Sequence, residues 1–189
     1  MGKENVRVLI SREDLERRVA ALAADINRDY AEKTADSEGL ICIGVLKGSV
    51  FFMTDLLKQI TVPVRIDFFQ TSSYGSGTTS DEVRIRKDVD LPLRGQDVLL
   101  IEDIVDTGHT LRTVLSLLKF RGARSVRLCA LLDKVSRREV EVPIEYRGFE
   151  IENLFVVGYG LDFDERYRNL PYIGVVETPD SETDPSSPS

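Results

Sequence analysis

Two stretches of this 189-residue chain are apolar without interruption: Leu40-Ile41-Cys42-Ile43-Gly44-Val45-Leu46 and Val98-Leu99-Leu100-Ile101. A strand with one face in water alternates polar and apolar residues, and these do not. They read as strands covered on both faces, the pattern of a parallel sheet clothed by helices. The segments between them fit. Ser11 reads as an N-cap, and Leu15, Val19, Leu22, Ala23 and Ile26 line one face of a helix after it. Val50 to Ile60 reads as a buried helix and Thr110 to Phe120 as another. Further strands are expected at Val6–Ile10, Val62–Phe69, Glu82–Val89, Ser125–Leu132, Glu145–Tyr146, Leu154–Gly158 and Tyr172–Val176. Strands alternating with helices define an α/β fold with a central, largely parallel sheet.

Composition narrows the function classes. Hydrophobic residues are 42% and charged residues 30% of the chain, ordinary for a soluble globular domain. No apolar stretch approaches the roughly 20 residues of a membrane span. Met1 to Asn5 is followed by no apolar signal region, so cytoplasm is the expected location and no membrane partner is expected. Cys42 and Cys129 both sit inside apolar runs and read as small core residues rather than a disulfide or zinc ligands.

The net charge is −7, but the segment from Glu177 to Ser189 holds four acids and no base, leaving the remainder only mildly acidic. That balance disfavours nucleic acid as a partner. An anionic substrate has to be held by local donors or by metal. From Thr178 onward Pro, Ser, Asp and Glu dominate, so residues 178–189 are expected to form a disordered acidic tail.

The chemistry concentrates where the second apolar run stops. Glu102 and Asp103 follow it directly, then Ile104 and Val105, then Asp106-Thr107-Gly108-His109-Thr110, and a helical pattern begins at once. In open α/β sheets, ligands bind beyond the carboxyl ends of the strands. A short glycine-containing loop leading into a helix presents backbone N–H groups to a phosphate. Thr107 and Thr110 add hydroxyls. Glu102 and Asp103 suit sugar hydroxyls or a Mg²⁺ shell. The loop alone is equally consistent with a plain capped strand–helix turn. The adjacent carboxylates tilt the balance, because desolvated neighbouring charges are costly without a ligand. No G-x-G-x-x-G follows a strand, and no Walker loop is present.

Val98 to Leu111 resembles the phosphoribosyl diphosphate (PRPP) signature of the type I phosphoribosyltransferase family. Leu46-Lys47-Gly48, Ser72-Ser73-Tyr74-Gly75, Leu131-Leu132-Asp133-Lys134 and Phe155 to Asp162 resemble, in order, segments of its bacterial hypoxanthine(-guanine) branch. The resemblance covers roughly Val6 to Val176. It implies the type I phosphoribosyltransferase fold as a single domain over 1–177. A small hood subdomain would come from about 1–36 plus segments after 134.

The implied reaction moves a 5-phosphoribosyl group from PRPP to N9 of hypoxanthine, and of guanine as well, releasing IMP or GMP and pyrophosphate in purine salvage. Asp106 would be the general base beside purine N7, and Asp106 to Thr110, with Thr107, Gly108 and His109, would hold the 5-phosphate. Glu102 and Asp103 would face the ribose and one Mg²⁺, and Asp162, at the purine edge, a second. Lys47 and Gly48 would bind pyrophosphate through backbone N–H groups and Arg168 would reach it, with Arg166 a competitor for the last role. In the family the peptide before the lysine can be cis.

Lys134 would donate to purine O6, an atom that an ammonium, having only donors, accepts. Without the resemblance Lys134 reads as a surface lysine beside Arg137 and Arg138. Phe155 would stack on the purine and Val156 offer backbone groups to its edge. Ser73 and Tyr74 would belong to a lid. His109, the only histidine, is expected to serve through its backbone, with its ring turned outward. The family implies a homodimer or homotetramer. A regulator built on the same fold is the main rival, and some such regulators lack the general-base carboxylate, which is present here. A xanthine–guanine enzyme differs only in base preference.

Overall fold

The computed structural model describes residues 5–34, 38–73 and 83–177. A six-stranded sheet is its centre, built from β2 (Leu40–Val45), β3 (Val64–Ser73), β4 (Val83–Lys87), β5 (Asp97–Val105), β6 (Ser125–Asp133) and β7 (Tyr146–Glu150), which with β1 (Asn5–Ile10) before them are numbered in chain order. The spatial order is β4-β3-β2-β5-β6-β7. Every neighbouring pair is parallel except β3 with β4.

The uninterrupted apolar runs are explained by what covers them. Cys42, Leu99, Ile101, Cys129 and Leu131 pack under α1 (Arg12–Tyr30) and α2 (Val50–Leu57). Ile41, Ile43, Val98, Leu100, Leu128 and Ala130 pack under α3 (His109–Phe120). Both cysteines are free and buried in this core, and the Cys42 thiol is pushed up to about 12 by that burial.

Helix α1 begins as its sequence demands. Ser11 is extended, its hydroxyl accepts from the Asp14 N–H at 3.1 Å, and Glu13 and Asp14 face the positive end of the helix dipole. The other end of the expected α2 differs. The helix stops at Leu57 rather than Ile60, and turns through Lys58 and Gln59. Strand β3 likewise starts at Val64, after Pro63, not at Val62.

Topology fixes where a ligand can sit. From β2 the chain passes through α2 to β3 on one side, and from β5 through α3 to β6 on the other. Right-handed crossovers running in opposite directions must lie on opposite faces, as α2 and α3 do. The strand order therefore reverses between β2 and β5, and the crevice beyond their carboxyl ends is the switch point.

Asp67 on β3 fastens the far side of the sheet. Its buried carboxylate accepts from the N–H groups of Phe68, Asp90 and Leu91 and from Lys87 Nζ. Burial alone would raise this carboxyl, but those donors together hold it below the usual range.

A second, antiparallel sheet runs β1-β9-β8, with β8 at Val156–Val157 and β9 at Ile173–Glu177. It joins the two ends of the described chain, pairing Val6 with Val176 and Val156 with Val175. Its buried residues Ile10, Val156 and Ile173 share the α1 side of the core. No helix among the described residues is long and apolar enough to cross a membrane. The acidic segment 178–189 lies outside the described residues.

Candidate active site

Strand β5 runs on through Glu102 and Asp103 to Val105, so the two carboxylates stand inside the strand rather than after it. The reason lies next door: β6 continues to Asp133 and pairs with β5 as far as Val105. Asp106 is then the first residue past the sheet edge. Gly108 takes φ +93° and begins α3. Only glycine adopts that backbone without strain, and a Cβ there would stand 2.7 Å from the Val140 carbonyl oxygen. The Thr107 carbonyl accepts from the N–H groups of Glu139 and Val140, which braces the loop from outside.

A cleft of about 190 Å³ opens at this loop, lined among others by Glu102, Asp106, Thr107, Gly108 and Thr110. The His109 ring lies away from it, Nε2 facing Glu139 Oε2 at 3.0 Å.

The end of β2 closes on the same point. The Leu46–Lys47 peptide is cis. A Cβ on Gly48 would stand 1.7 Å from Asp103 Oδ2, and a Cβ on Gly160 would stand 1.9 Å from the Gly48 carbonyl oxygen. Three segments distant in sequence thus meet: the turn after β2 lies against the Asp103 side chain of β5 and, backbone to backbone, against the loop after β8.

That last loop is heavily braced. Arg168 donates to the Gly160 carbonyl at 2.8 Å, pairs with Asp162 Oδ1 at 2.8 Å and reaches Glu165 Oε2 at 3.2 Å. Asp162 Oδ2 accepts from the Glu165 N–H, and Lys47 Nζ pairs with Glu165 Oε1 at 2.9 Å. Arg166 instead lies over the rings of Phe163 and Tyr167, so Arg168 is the arginine at the Gly48 end.

Two buried polar atoms in this region, Glu102 Oε2 and Arg168 Nε, have no hydrogen-bond partner among the described residues. Orphaned buried groups are rare and costly, and in a cleft they point to a ligand. Burial, with Asp103 alongside, pushes the Glu102 carboxyl well above the usual carboxylate range, and burial raises Asp103 as well. Two adjacent desolvated carboxyls of this kind fit a divalent cation completed by substrate oxygens and water. They equally fit the hydroxyls of a sugar. Asp162 fits a cation less readily, since both its oxygens are engaged.

On the other flank, Lys134 is only 9% exposed, and its N–H donates to the Val105 carbonyl at 3.0 Å. It is therefore no surface lysine; it is fastened beside Asp106. The backbone turns at once, and Arg137 Nε donates to Asp106 Oδ1 at 3.2 Å. The neighbouring Arg138 pairs with buried Asp133. Phe155 is half exposed and meets Phe163 edge to face at 5.4 Å. Val156 is buried and pairs with Val175 in the second sheet. The backbone of Ser73 ends β3 opposite Val83, and Tyr74 lies outside the described residues.

Sequence reasoning missed three residues at this site: Arg137 against Asp106, Glu165 against Lys47 and Arg168, and Glu139 against His109. Arg137 had a weak signal, three positions after Lys134. The other two had none.

A cleft at a strand-order switch point, with a glycine loop opening a helix and paired carboxylates, has the form of a sugar-phosphate site. The phosphoribosyl transferase domain family matches residues 10–164, and the chain belongs to that family. It is 52% identical over 177 residues to hypoxanthine phosphoribosyltransferase of Haemophilus influenzae, covering 93% of this chain and 98% of that one. The Escherichia coli protein of the same name is 46% identical over 175 residues, covering 92% and 97%. The crystal structure of a hypoxanthine phosphoribosyltransferase from Staphylococcus aureus superposes with a TM-score of 0.84 at 44% identity, covering 90% of this chain and 91% of that one.

Proposed function

We propose that the chain is a hypoxanthine phosphoribosyltransferase of purine salvage, which transfers 5-phosphoribosyl from PRPP to N9 of hypoxanthine and releases IMP and pyrophosphate. Guanine is the second substrate, giving GMP. The observation that carries the reading is the buried Lys134, whose backbone N–H on the Val105 carbonyl sets the residue next to Asp106 at the strand ends. A 6-oxopurine offers a carbonyl acceptor and an imidazole N–H on neighbouring edges, and an ammonium beside a carboxylate complements both. Adenine presents an amino group where Lys134 needs an acceptor, and a buried mismatch of that kind discriminates strongly.

The remaining roles follow from the same crevice. The 107–110 backbone and the Thr107 and Thr110 hydroxyls bind the 5-phosphate at the start of α3. Glu102 and Asp103 hold the ribose hydroxyls and Mg²⁺, and the metal, when bound, offsets the charge of the diphosphate. Asp162 would hold a second Mg²⁺ with the oxygen that now pairs with Arg168. Lys47, Gly48 and Arg168 bind the departing diphosphate. Asp106 accepts the purine proton while N9 attacks the anomeric carbon. Phe155 stacks on the base, Val156 presents its backbone, and the β1-β9-β8 sheet serves as the hood above them. Ser73 and Tyr74 belong to a lid that excludes water from the sugar cation. The enzyme works in the cytoplasm as a homodimer or homotetramer, a state that sedimentation measures directly.

The test is a panel of hypoxanthine, guanine, xanthine, adenine and uracil with PRPP and Mg²⁺. Turnover of hypoxanthine and guanine is expected, with adenine and uracil inert. If no 6-oxopurine turns over, the reading fails.

A further inference from the structure

The loop after β8 spends unusual backbone conformations on one side chain. Among the described residues, the four non-glycine positions with positive φ are Tyr159, Asp164, Glu165 and Tyr167, all in this loop. Such conformations are unfavourable for L side chains and tend to cluster at sites of function. Glu165 itself stands at φ +59°, pinned there by its N–H to Asp162 Oδ2 at 2.9 Å. The turn is closed again by pairing of Phe163 with Arg166. The product of this geometry is a carboxylate that reaches across 118 positions of sequence to Lys47 while its other oxygen meets Arg168.

Lys47, whose backbone is assigned above to the diphosphate, and Arg168 are the cationic side chains at that site. We propose that Glu165 is the internal counter-anion of the diphosphate site: it holds Lys47 and Arg168 while the site is free, and yields both when PRPP or pyrophosphate arrives. The proposal rests on the reading of Lys47, Gly48 and Arg168 as diphosphate ligands.

Two features agree with it. The Lys47 and Glu165 side chains are 55% and 63% exposed, and ion pairs that open to water are weak and easily exchanged. A diphosphate carries more charge than one carboxylate and outcompetes it. Glu165 thus prevents two cations from repelling each other in the free enzyme and lowers the affinity for product, which speeds pyrophosphate release.

The test is calorimetric titration of the full chain with magnesium pyrophosphate. Glu165→Gln keeps the shape and removes the charge; Glu165→Asn removes the reach and suits left-handed backbone. Both are expected to bind pyrophosphate about 2- to 10-fold more tightly than the parent, the range two exposed pairs allow. Product inhibition by pyrophosphate should strengthen in step, with the KM for hypoxanthine unchanged. Equal or weaker pyrophosphate binding in the variants, with the parent binding normally, overturns the proposal, since that is what a residue merely supporting Arg168 would produce. A parent that shows no saturable binding removes the diphosphate assignment itself, and the proposal with it.

Discussion

Asp106 owes its position to three contacts that belong to other residues: the end of β5 behind it, the Lys134 N–H on the Val105 carbonyl, and Arg137 Nε on its Oδ1. In the role proposed for it, Asp106 acts on the purine proton and contributes little to holding PRPP. Asp106→Asn is therefore expected to lower kcat by about 10²–10⁴-fold, the usual worth of general acid–base help, with the KM for PRPP changed little. Steady-state kinetics decide it; a variant with parental kcat would take Asp106 out of the role. Of these contacts, only the residue types were visible in the chain. Asp106 stands in a run whose order of carboxylates, glycine and threonines is local, so the sequence showed it. Arg137 lies 31 positions away, and nothing in the spacing of Lys134, Arg137 and Arg138 says which one bends back.

At the scale of elements, β2, β5 and the loop after β8 are held at contact distance by glycines. Gly160 is the sharpest case, for its φ is +107° and the atom its Cβ would meet is the Gly48 backbone oxygen, which cannot rotate aside. Gly160→Ala should destabilise the chain by about 1–3 kcal/mol in urea unfolding and raise the KM for PRPP by displacing the Lys47-Gly48 turn. Unfolding at the parental midpoint would show that the approach is looser than described.

The strands themselves were legible because their apolar runs have no polar alternation. Their ends were less so. Glu102 and Asp103 looked like residues beyond a strand because they are charged, yet pairing with β6 carries β5 past them. Hydrogen bonding to a neighbour overrode the local polarity, and it left the carboxylates in the crevice wall with one oxygen orphaned.

For the molecule as a whole, two sets of carboxylates set the response to pH in opposite directions. The Asp88 and Asp97 carboxyls are held below the usual range by Arg121 and Arg124. Their contribution to stability is present above the ordinary carboxylate range and is lost as pH falls below it, when the folded forms protonate. Glu102 is shifted upward instead. The folded chain keeps its proton where the unfolded chain has lost it, so stability falls as pH rises from the ordinary value of 4.5 toward the elevated one.

Glu102→Gln should therefore raise Tm at neutral pH in metal-free buffer, and the gain should vanish below about pH 4.5, where both residues are neutral. Thermal melts from pH 3.5 to 8 measure this. A Tm difference that does not change with pH would mean that Glu102 ionises freely. A carboxyl raised by burial in the crevice wall is what a site built for a cation or a sugar would carry.

By itself the chain determined its α/β class, the glycine loop that opens α3, the paired carboxylates and the family, because each of these is written in neighbouring residues: periodicity, turn glycines and adjacent charges act over a few positions. The tertiary structure decided which segments meet at the switch point, that Arg168 rather than Arg166 holds the Gly160 carbonyl, and that Lys134 is buried next to the end of β5. It also supplied Glu165 as partner of Lys47. Those are long-range matters, set by strand order and crossover handedness, and no local pattern encodes a contact across 118 residues.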